Sequence, residues 1–234
     1  PEVWRNSSCG CPEGIARVLT PLCLTLKVAL LATLLAGVLG IGLAWWMARR
    51  RFPGHAVIDA ALVLPMVLPP TVVGYYLIVL VGRQGPLGRW LESSFGITLL
   101  FTWQGAVLAS AVVALPLIYK AARAAFEDTD HRFAQAARTL GAAEWEVFLR
   151  ISLPLAMRGI GAGLALTFAR AMGEFGATLM IAGNLPGRTQ TLSVAVYSAV
   201  QAGDDPLALR LTLVISAACI VLLVIASRLL QPRH

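Results

Sequence analysis

The sequence predicts an all-α membrane protein, a polytopic bundle of about five transmembrane helices. Its 234 residues are 58% hydrophobic and only 13% charged, whereas soluble domains average about 45–50% and about 25%. A bilayer core about 30 Å thick requires about 20 apolar residues for each helical crossing. Five runs of at least that length contain few charged residues, and we expect them to be the crossings: Val18 to Met47, Ile58 to Leu80, Ile97 to Tyr119, Ile151 to Ala182 and Leu207 to Ala226.

The distribution of basic residues predicts the orientation. One side holds eleven of them: Arg49, Arg50, Arg51, Lys120, Arg123, Arg132, Arg138, Arg150, Arg158, Arg228 and Arg233. The other side holds five: Arg5, Arg17, Arg83, Arg89 and Arg188. Because Lys and Arg concentrate in cytoplasmic loops, we expect the N-terminus outside and the C-terminus in the cytoplasm. The net charge of +7 does not indicate nucleic-acid binding, which would require a basic face on a soluble domain.

Residues 1–17 are expected to form an extracytoplasmic tail before a membrane domain over residues 18–230. Cys9 and Cys11 lie in this tail, whereas Cys23 and Cys219 lie within apolar runs. That distribution does not provide a disulfide framework. Two thiols without a nearby His are also too few ligands for a structural zinc ion, so no metal site is expected.

Small residues predict where helices approach each other closely. In the first run they recur at every fourth position, and the fourth run repeats that spacing: Ala32, Ala36, Gly40 and Ala44, then Gly159 and Gly163. Stripes of this kind let two helix backbones come together in a membrane. Outside the membrane, Gly82 to Gly96 is expected to be a loop with a short helix. Asn184 to Gln190 is expected to be a turn, and Thr189 to Ala202 a helix that could partly re-enter the membrane.

The second run contains a cluster of prolines, Pro65, Pro69 and Pro70, followed by Thr71. Three prolines in six residues are incompatible with an unbroken helix. Irregular backbone at membrane depth is tolerated where it is buried in protein or lines a watery cavity. The sequence leaves both interpretations open, a packed kink and the wall of a transport pathway.

The fourth run contains two charged residues, Arg170 and Glu174. An ionised side chain at this depth costs a few kcal/mol, so such residues face the bundle interior or a cavity. Since they are four residues apart on one predicted helix, they could also neutralise each other. A structural pair and a position beside a pathway therefore remain alternatives.

The chain is not expected to be an enzyme or to bind a cofactor. A P-loop requires Gly-Lys-Ser/Thr, but the only lysines, Lys27 and Lys120, follow Leu and Tyr. The sequence also lacks the H-E-x-x-H signature of a zinc protease. ATP hydrolysis, if it drives this protein, must take place on another chain.

The longest cytoplasmic loop has the pattern of two short helices. Asp128, Thr129 and Asp130 are candidate N-caps, and an apolar face of Phe133, Ala137 and Leu140 follows before Gly141 ends the helix. The second helix, Ala142 to Leu149, places Trp145, Phe148 and Leu149 on one face. Helices this short are marginal in water, so their apolar faces need a partner.

This loop resembles the EAA loop of ABC importer permeases. Gln135-Ala136-Ala137, then Gly141, then Ile151-x-Leu153-Pro154 fit the pattern at every anchor, except that Gln135 stands where the pattern has Glu. Residues 67–75, 170–178 and 183–189 further resemble the molybdate permease subunit. Sulfate permeases are close relatives with a similar Gly-Glu-aromatic-Gly run, and tungstate is not distinguishable from molybdate.

The resemblance implies a type I ABC importer permease (MetI-like) fold in the bacterial inner membrane. It also implies three protein partners: an ABC ATPase that binds ATP-Mg, an extracytoplasmic molybdate-binding protein, and a second permease copy forming a homodimer. Residues 120–154 would be the coupling loop in a cleft of the ATPase. The implied coupling residues are Gln135, Ala136, Ala137, Arg138, Leu140, Gly141, Ala142, Ile151, Leu153 and Pro154.

Pathway candidates come from the two irregular parts of the membrane domain. They are Pro69, Pro70, Thr71, Arg170, Glu174, Phe175, Gly176 and Thr178. The hydroxyls and exposed amides among them could serve an oxyanion transiently. Alternatives to a molybdate permease are a sulfate or thiosulfate permease, a proton-coupled transporter that uses Glu174 as a relay, and a membrane scaffold.

Overall fold

The computed structural model describes residues 13–49, 53–96, 98–129 and 131–230, and all regular structure in these ranges is helical. The helices are α1 (Glu13–Arg49), α2 (His55–Val67), α3 (Pro70–Val81), α4 (Pro86–Phe95), α5 (Trp103–Glu127), α6 (His131–Thr139), α7 (Glu144–Val147), α8 (Leu153–Met172), α9 (Gly176–Ala182), α10 (Leu192–Gln201) and α11 (Asp205–Leu230). A π-helical turn over Phe148–Ser152 joins α7 to α8. The all-α prediction is confirmed.

Four of these helical segments are long and apolar enough to cross a membrane, namely Arg17–Arg49, Trp103–Glu127, Glu144–Met172 and Asp205–Ala226. The second predicted crossing is instead split into α2 and α3, which meet at 113°. Such a bent pair is either one broken span or a re-entrant loop. Counting it as one span gives the five predicted crossings.

The bundle centre is formed by α1, α5 and α8, which pack through small side chains. Ala32, Ala36 and Ala44 of α1 are fully buried. A Cβ added to Gly40 would lie 2.7 Å from Ile118 Cγ2, and one added to Gly163 would lie 2.6 Å from Ala121 Cβ. Lipid is as apolar as the helices, so tight packing of this kind is a main source of their association. The predicted packing stripes are confirmed.

The third and fourth predicted crossings have different limits in the structure. Helix α5 starts at Trp103, where the Thr102 hydroxyl accepts a hydrogen bond from Gly105 N–H, and it continues past Lys120 to Glu127. The fourth run was wrong at its end, because α8 stops at Met172 and α9 starts separately at Gly176. The carboxylate of Glu174 accepts a hydrogen bond from Ala177 N–H at 3.0 Å. That bond satisfies a free amide at the start of α9 and stabilises the interruption.

The charged residues near the C-terminal end of α5 pair with Asp59 of α2. Asp59 accepts hydrogen bonds from Tyr119 Oη at 2.7 Å, Lys120 Nζ at 2.7 Å and Arg123 Nη1 at 2.6 Å. Helix α2 has no buried residue of its own. This polar cluster, together with the half-buried Ile58, Leu62 and Val63 that pack on the core, attaches α2 to the bundle.

Other boundaries follow the sequence closely. The loop after α3 holds α4, and the predicted helix after the Asn184 turn is α10. Helix α1 begins at Glu13, so the last residues of the predicted tail are helical. The rest of that tail, with Cys9 and Cys11, lies outside the described residues.

Candidate functional site

The segment predicted to be the coupling loop contains α6, and a glycine turn ends that helix. Gly141 adopts a φ of +85°, a conformation that L side chains rarely take. Ala142 N–H bonds to Ala137 O at 3.1 Å, and Gly141 N–H bonds to Arg138 O at 3.0 Å. These two bonds form a Schellman motif, which satisfies carbonyls at the helix end. The prediction that Gly141 stops the helix is confirmed.

The start of α6 differs from the prediction. The hydroxyl of Thr129 donates a hydrogen bond to Phe126 O at 2.7 Å, so it caps the end of α5. Asp130 lies outside the described residues. The predicted second helix was also wrong as an independent element, because α7 runs through the π turn into α8. In that turn Leu153 N–H bonds to Phe148 O, five residues back, next to Pro154, which has no N–H to donate.

Several large apolar side chains of this segment face outward. Leu140 is 87% exposed, Phe133 59% and Trp145 60%. Gln135 and Ala136 are also exposed, so the outer surface of α6 combines a polar group, a small residue and apolar anchors. Gln135 also borders the cavity between α6 and the bundle. Contiguous exposed apolar surface on a protein usually marks an interaction site. We call the surface formed by Phe133, Gln135, Ala136, Leu140 and Trp145 the α6 surface.

Three other predicted coupling residues lie at the junction with α8. Ile151 and Leu153 are half-buried, and Pro154 is the exposed second residue of α8. Phe148 was predicted to share one face with Trp145 and Leu149, which are both exposed, but it packs against the core. Its ring lies 4.9 Å from the ring of Trp45 on α1 and 6.3 Å from that of Phe126 on α5.

Arg138 is exposed, but its guanidinium is paired with a residue of the segment that follows. Its Nε donates to Glu144 Oε1 at 2.8 Å, and the same carboxylate is ion-paired with Arg49 at the end of α1. Sequence reasoning missed Arg49 and Glu144 as parts of this site. Arg138 and Glu144 are six residues apart with a turn between them, so helical periodicity does not reveal the pair.

The second part of the site lies among the apolar helices, where the two predicted irregular segments meet. A Cβ on Gly176 would lie 3.0 Å from Pro70 Cβ and 3.3 Å from Thr71 N. A Cβ on Gly74 would lie 2.8 Å from Met180 Cβ. Helices α3 and α9 therefore touch backbone to backbone. The structure brings together the proline break and the Gly-Glu-Phe-Gly segment, about one hundred residues apart in sequence.

Glu174 lies beside this contact and is almost completely buried. Its Oε2 is 2.7 Å from Arg170 Nη1, an ion pair. The predicted pairing is thus present, although Glu174 lies just beyond the end of α8. Arg170 is more accessible, with 36% of its side chain exposed. Because the Arg170–Glu174 pair is neutral overall, the Glu174 carboxylate would not repel an anion as an unpaired carboxylate would.

The remaining pathway candidates differ in accessibility. Thr178 is fully buried, and its hydroxyl lies 3.4 Å from that of Ser110 on α5. Phe175 stacks at a tilt on Tyr197 of α10, with ring centroids 5.0 Å apart. Thr71 and Pro69 are exposed. Thr71 could therefore reach a solute in this conformation, whereas Thr178 could not.

The part of the chain that the structure describes contains no candidate metal site. No three His, Cys, Asp or Glu side chains there are grouped so that they could hold an ion. Cys23 and Cys219 are free thiols.

These elements define a class of protein, a polytopic helical membrane protein with the type I ABC importer permease fold. A structure of the methionine ABC transporter MetNI superimposes with a TM-score of 0.72, covering 92% of this chain and 95% of that chain at 15% identity. A bacterial alginate ABC transporter gives a TM-score of 0.69, covering 89% and 76% at 18% identity. At these identities the likeness defines the fold.

The family follows from the sequence. Residues 18–233 match the family described as binding-protein-dependent transport system inner membrane component, and the chain belongs to it. It is therefore a multi-pass inner membrane protein. The molybdenum transport system permease protein ModB of Escherichia coli K12 is 48% identical over 204 residues, covering 87% of this chain and 89% of that protein.

Two further relatives bear on the substrate. ModB of Haemophilus influenzae is 48% identical over 178 residues, covering 76% of this chain and 78% of the relative. The sulfate transport system permease protein CysT of Escherichia coli K12 is 37% identical over 199 residues, covering 85% and 72%. The chain is thus more similar to these molybdenum permeases than to that sulfate permease.

Proposed function

We propose that this chain is the permease subunit of an ATP-driven importer of molybdate. The observation that carries the proposal is the 48% identity to a molybdenum permease over nearly the whole of both chains, against 37% to a sulfate permease. Tungstate is included, because it has the same charge and tetrahedral shape. The N-terminus would lie outside and the C-terminus in the cytoplasm.

The α6 surface is the proposed docking site of the ATPase subunit, within a coupling loop over residues 120–154. Its exposed Leu140 and Phe133 need a partner to bury them, and helix-in-groove binding uses anchors of this kind. Gln135 and Ala136 present a short polar group and a small side chain that allow close approach. Ile151 and Leu153 fasten the segment to the bundle. ATP-Mg would be bound by the partner, because this chain has no P-loop.

Two ATPase sites require two coupling segments, and one chain supplies one. A homodimer is the simplest way to provide the second. The pathway would then lie beside the contact between α3 and α9, where Thr71 is exposed and the Arg170–Glu174 pair is neutral. Weak, transient contacts suit transit, so tight recognition of the anion would belong to an extracytoplasmic binding protein.

The test is uptake of labelled molybdate into vesicles that contain this permease, its ATPase and its binding protein. Uptake should require ATP, and unlabelled molybdate and tungstate should compete while sulfate at equal concentration should not. Competition by sulfate alone would assign the chain to the sulfate permeases, the second candidate supported by the CysT relative. Uptake in vesicles without the ATPase would instead indicate a proton-coupled carrier with Glu174 as relay.

A further inference from the structure

The α6 segment stands away from the bundle over a polar cavity. The cavity has a volume of about 250 Å³, and its lining includes Trp45, Arg49, Phe126, Gln135, Arg138 and Ser152. The large apolar residues of α6, Phe133 and Leu140, face outward. Apolar packing of these two residues therefore does not set the angle between α6 and α1. Some other contact must do so if α6 is to transmit movement.

Glu144 supplies that contact. Its carboxylate receives Arg138 Nε at 2.8 Å and Arg138 Nη2 at 3.5 Å from α6. On the other side it is ion-paired with Arg49 Nη1 at the last residue of α1. One side chain thus joins the coupling helix to a helix of the bundle centre, about one hundred residues away in sequence.

The Arg49 end of this bridge is held firmly. The Arg49 guanidinium lies 4.4 Å from the ring centroid of Trp45, and its Nη2 is 3.4 Å from Ser152 Oγ. Trp45 packs in turn on Phe148 of the π turn. A cation stacked on an aromatic ring and paired with a carboxylate has little freedom. Movement of α6 would therefore reach α1 through Glu144.

We propose that Glu144 is a positioning residue that fixes α6 to α1, so that movement imposed on α6 by the ATPase passes into the bundle. This inference rests on the proposed coupling role of α6. Without Glu144, the turn over residues 140–143 would absorb part of the movement. The carboxylate also lies between the two guanidinium groups, which argues against the cavity as a site for a free anion.

The experiment compares Glu144→Gln with a matched control, Glu146→Gln, in the complete transporter. Glu146 pairs with Arg150 at 3.9 Å and accepts from Ala143 N–H at 3.1 Å, contacts within its own segment. Both variants should insert, because partly exposed ion pairs contribute little to folding. We expect molybdate uptake per ATP hydrolysed to fall about fivefold in Glu144→Gln and to be unchanged in Glu146→Gln.

A second measurement does not depend on transport. Hydrogen exchange of the amides over residues 133–142, in the permease without its ATPase, should be faster in Glu144→Gln than in the native chain and unchanged in Glu146→Gln. If vesicles containing the native transporter took up no molybdate, the proposed function would be contradicted. The hydrogen-exchange measurement would still test whether Glu144 fixes α6 to α1. Wild-type coupling and exchange in Glu144→Gln would overturn the inference. The inference would also be overturned if Glu144→Gln no longer bound the ATPase while its hydrogen exchange stayed unchanged, because Glu144 would then be a docking contact. Failure of Glu144→Gln to insert into the membrane would overturn it too.

Discussion

Gly141 offers the sharpest test of the proposed coupling role of α6. Its φ of +85° lies where a side chain is strained whatever space surrounds it, and no atom lies within 4 Å of a Cβ added there. The effect of a substitution is therefore backbone strain without a steric clash. An L residue in a left-handed conformation costs about 1–2 kcal/mol, enough to reduce the population of the correct turn by about fivefold to thirtyfold.

We therefore expect Gly141→Val to insert into the membrane normally. ATP-dependent uptake should fall by up to about thirtyfold while ATP hydrolysis continues. The control is Gly141→Asn, because Asn tolerates a left-handed conformation much better than Val. Uptake and hydrolysis are measured together in vesicles that contain the ATPase and the binding protein. Undiminished uptake in Gly141→Val, or equal damage in both variants, would refute the argument from the turn.

Three further substitutions test other parts of the molecule. Leu140→Ser removes an exposed apolar side chain whose burial by a partner would contribute about 1.5–3 kcal/mol to binding. A binding titration should show the ATPase binding at least about tenfold more weakly, while the thermal stability of the isolated permease stays unchanged. Asp59→Asn leaves Lys120 and Arg123 without their shared carboxylate and should lower stability by about 1 kcal/mol after allowing for solvent screening; an unchanged melting temperature in detergent would contradict the role of this cluster. Gly163→Leu adds a side chain whose Cβ alone would lie 2.6 Å from Ala121 Cβ, so it should destabilise the bundle by about 1–3 kcal/mol in a melting assay. The control is Gly42→Leu, which should be tolerated because no atom lies within 4 Å of a Cβ added at Gly42.

Much of the candidate site could be predicted from the sequence, because its signals are local. The turn at Gly141 needs only a residue that tolerates positive φ, and the outward faces of Phe133 and Leu140 follow from helical spacing. Arg138 was assigned to the coupling residues by the resemblance alone, and its contact with Glu144 could not be predicted. Spacing shows where a side chain leaves the helix and cannot show which distant group it meets.

The sequence by itself determined the all-α membrane class, the approximate number of crossings and the close packing at Ala32, Ala36, Gly40 and Ala44. These properties depend on solvent partition and helical period, which act over a few turns of chain. Only the tertiary structure decided that Pro70 meets Gly176, that Glu144 joins α6 to α1, and that the fourth run breaks at Glu174. Those outcomes depend on which backbones approach closely and which charges must be neutralised in a medium that solvates them poorly, and residues far apart in the chain contribute to both.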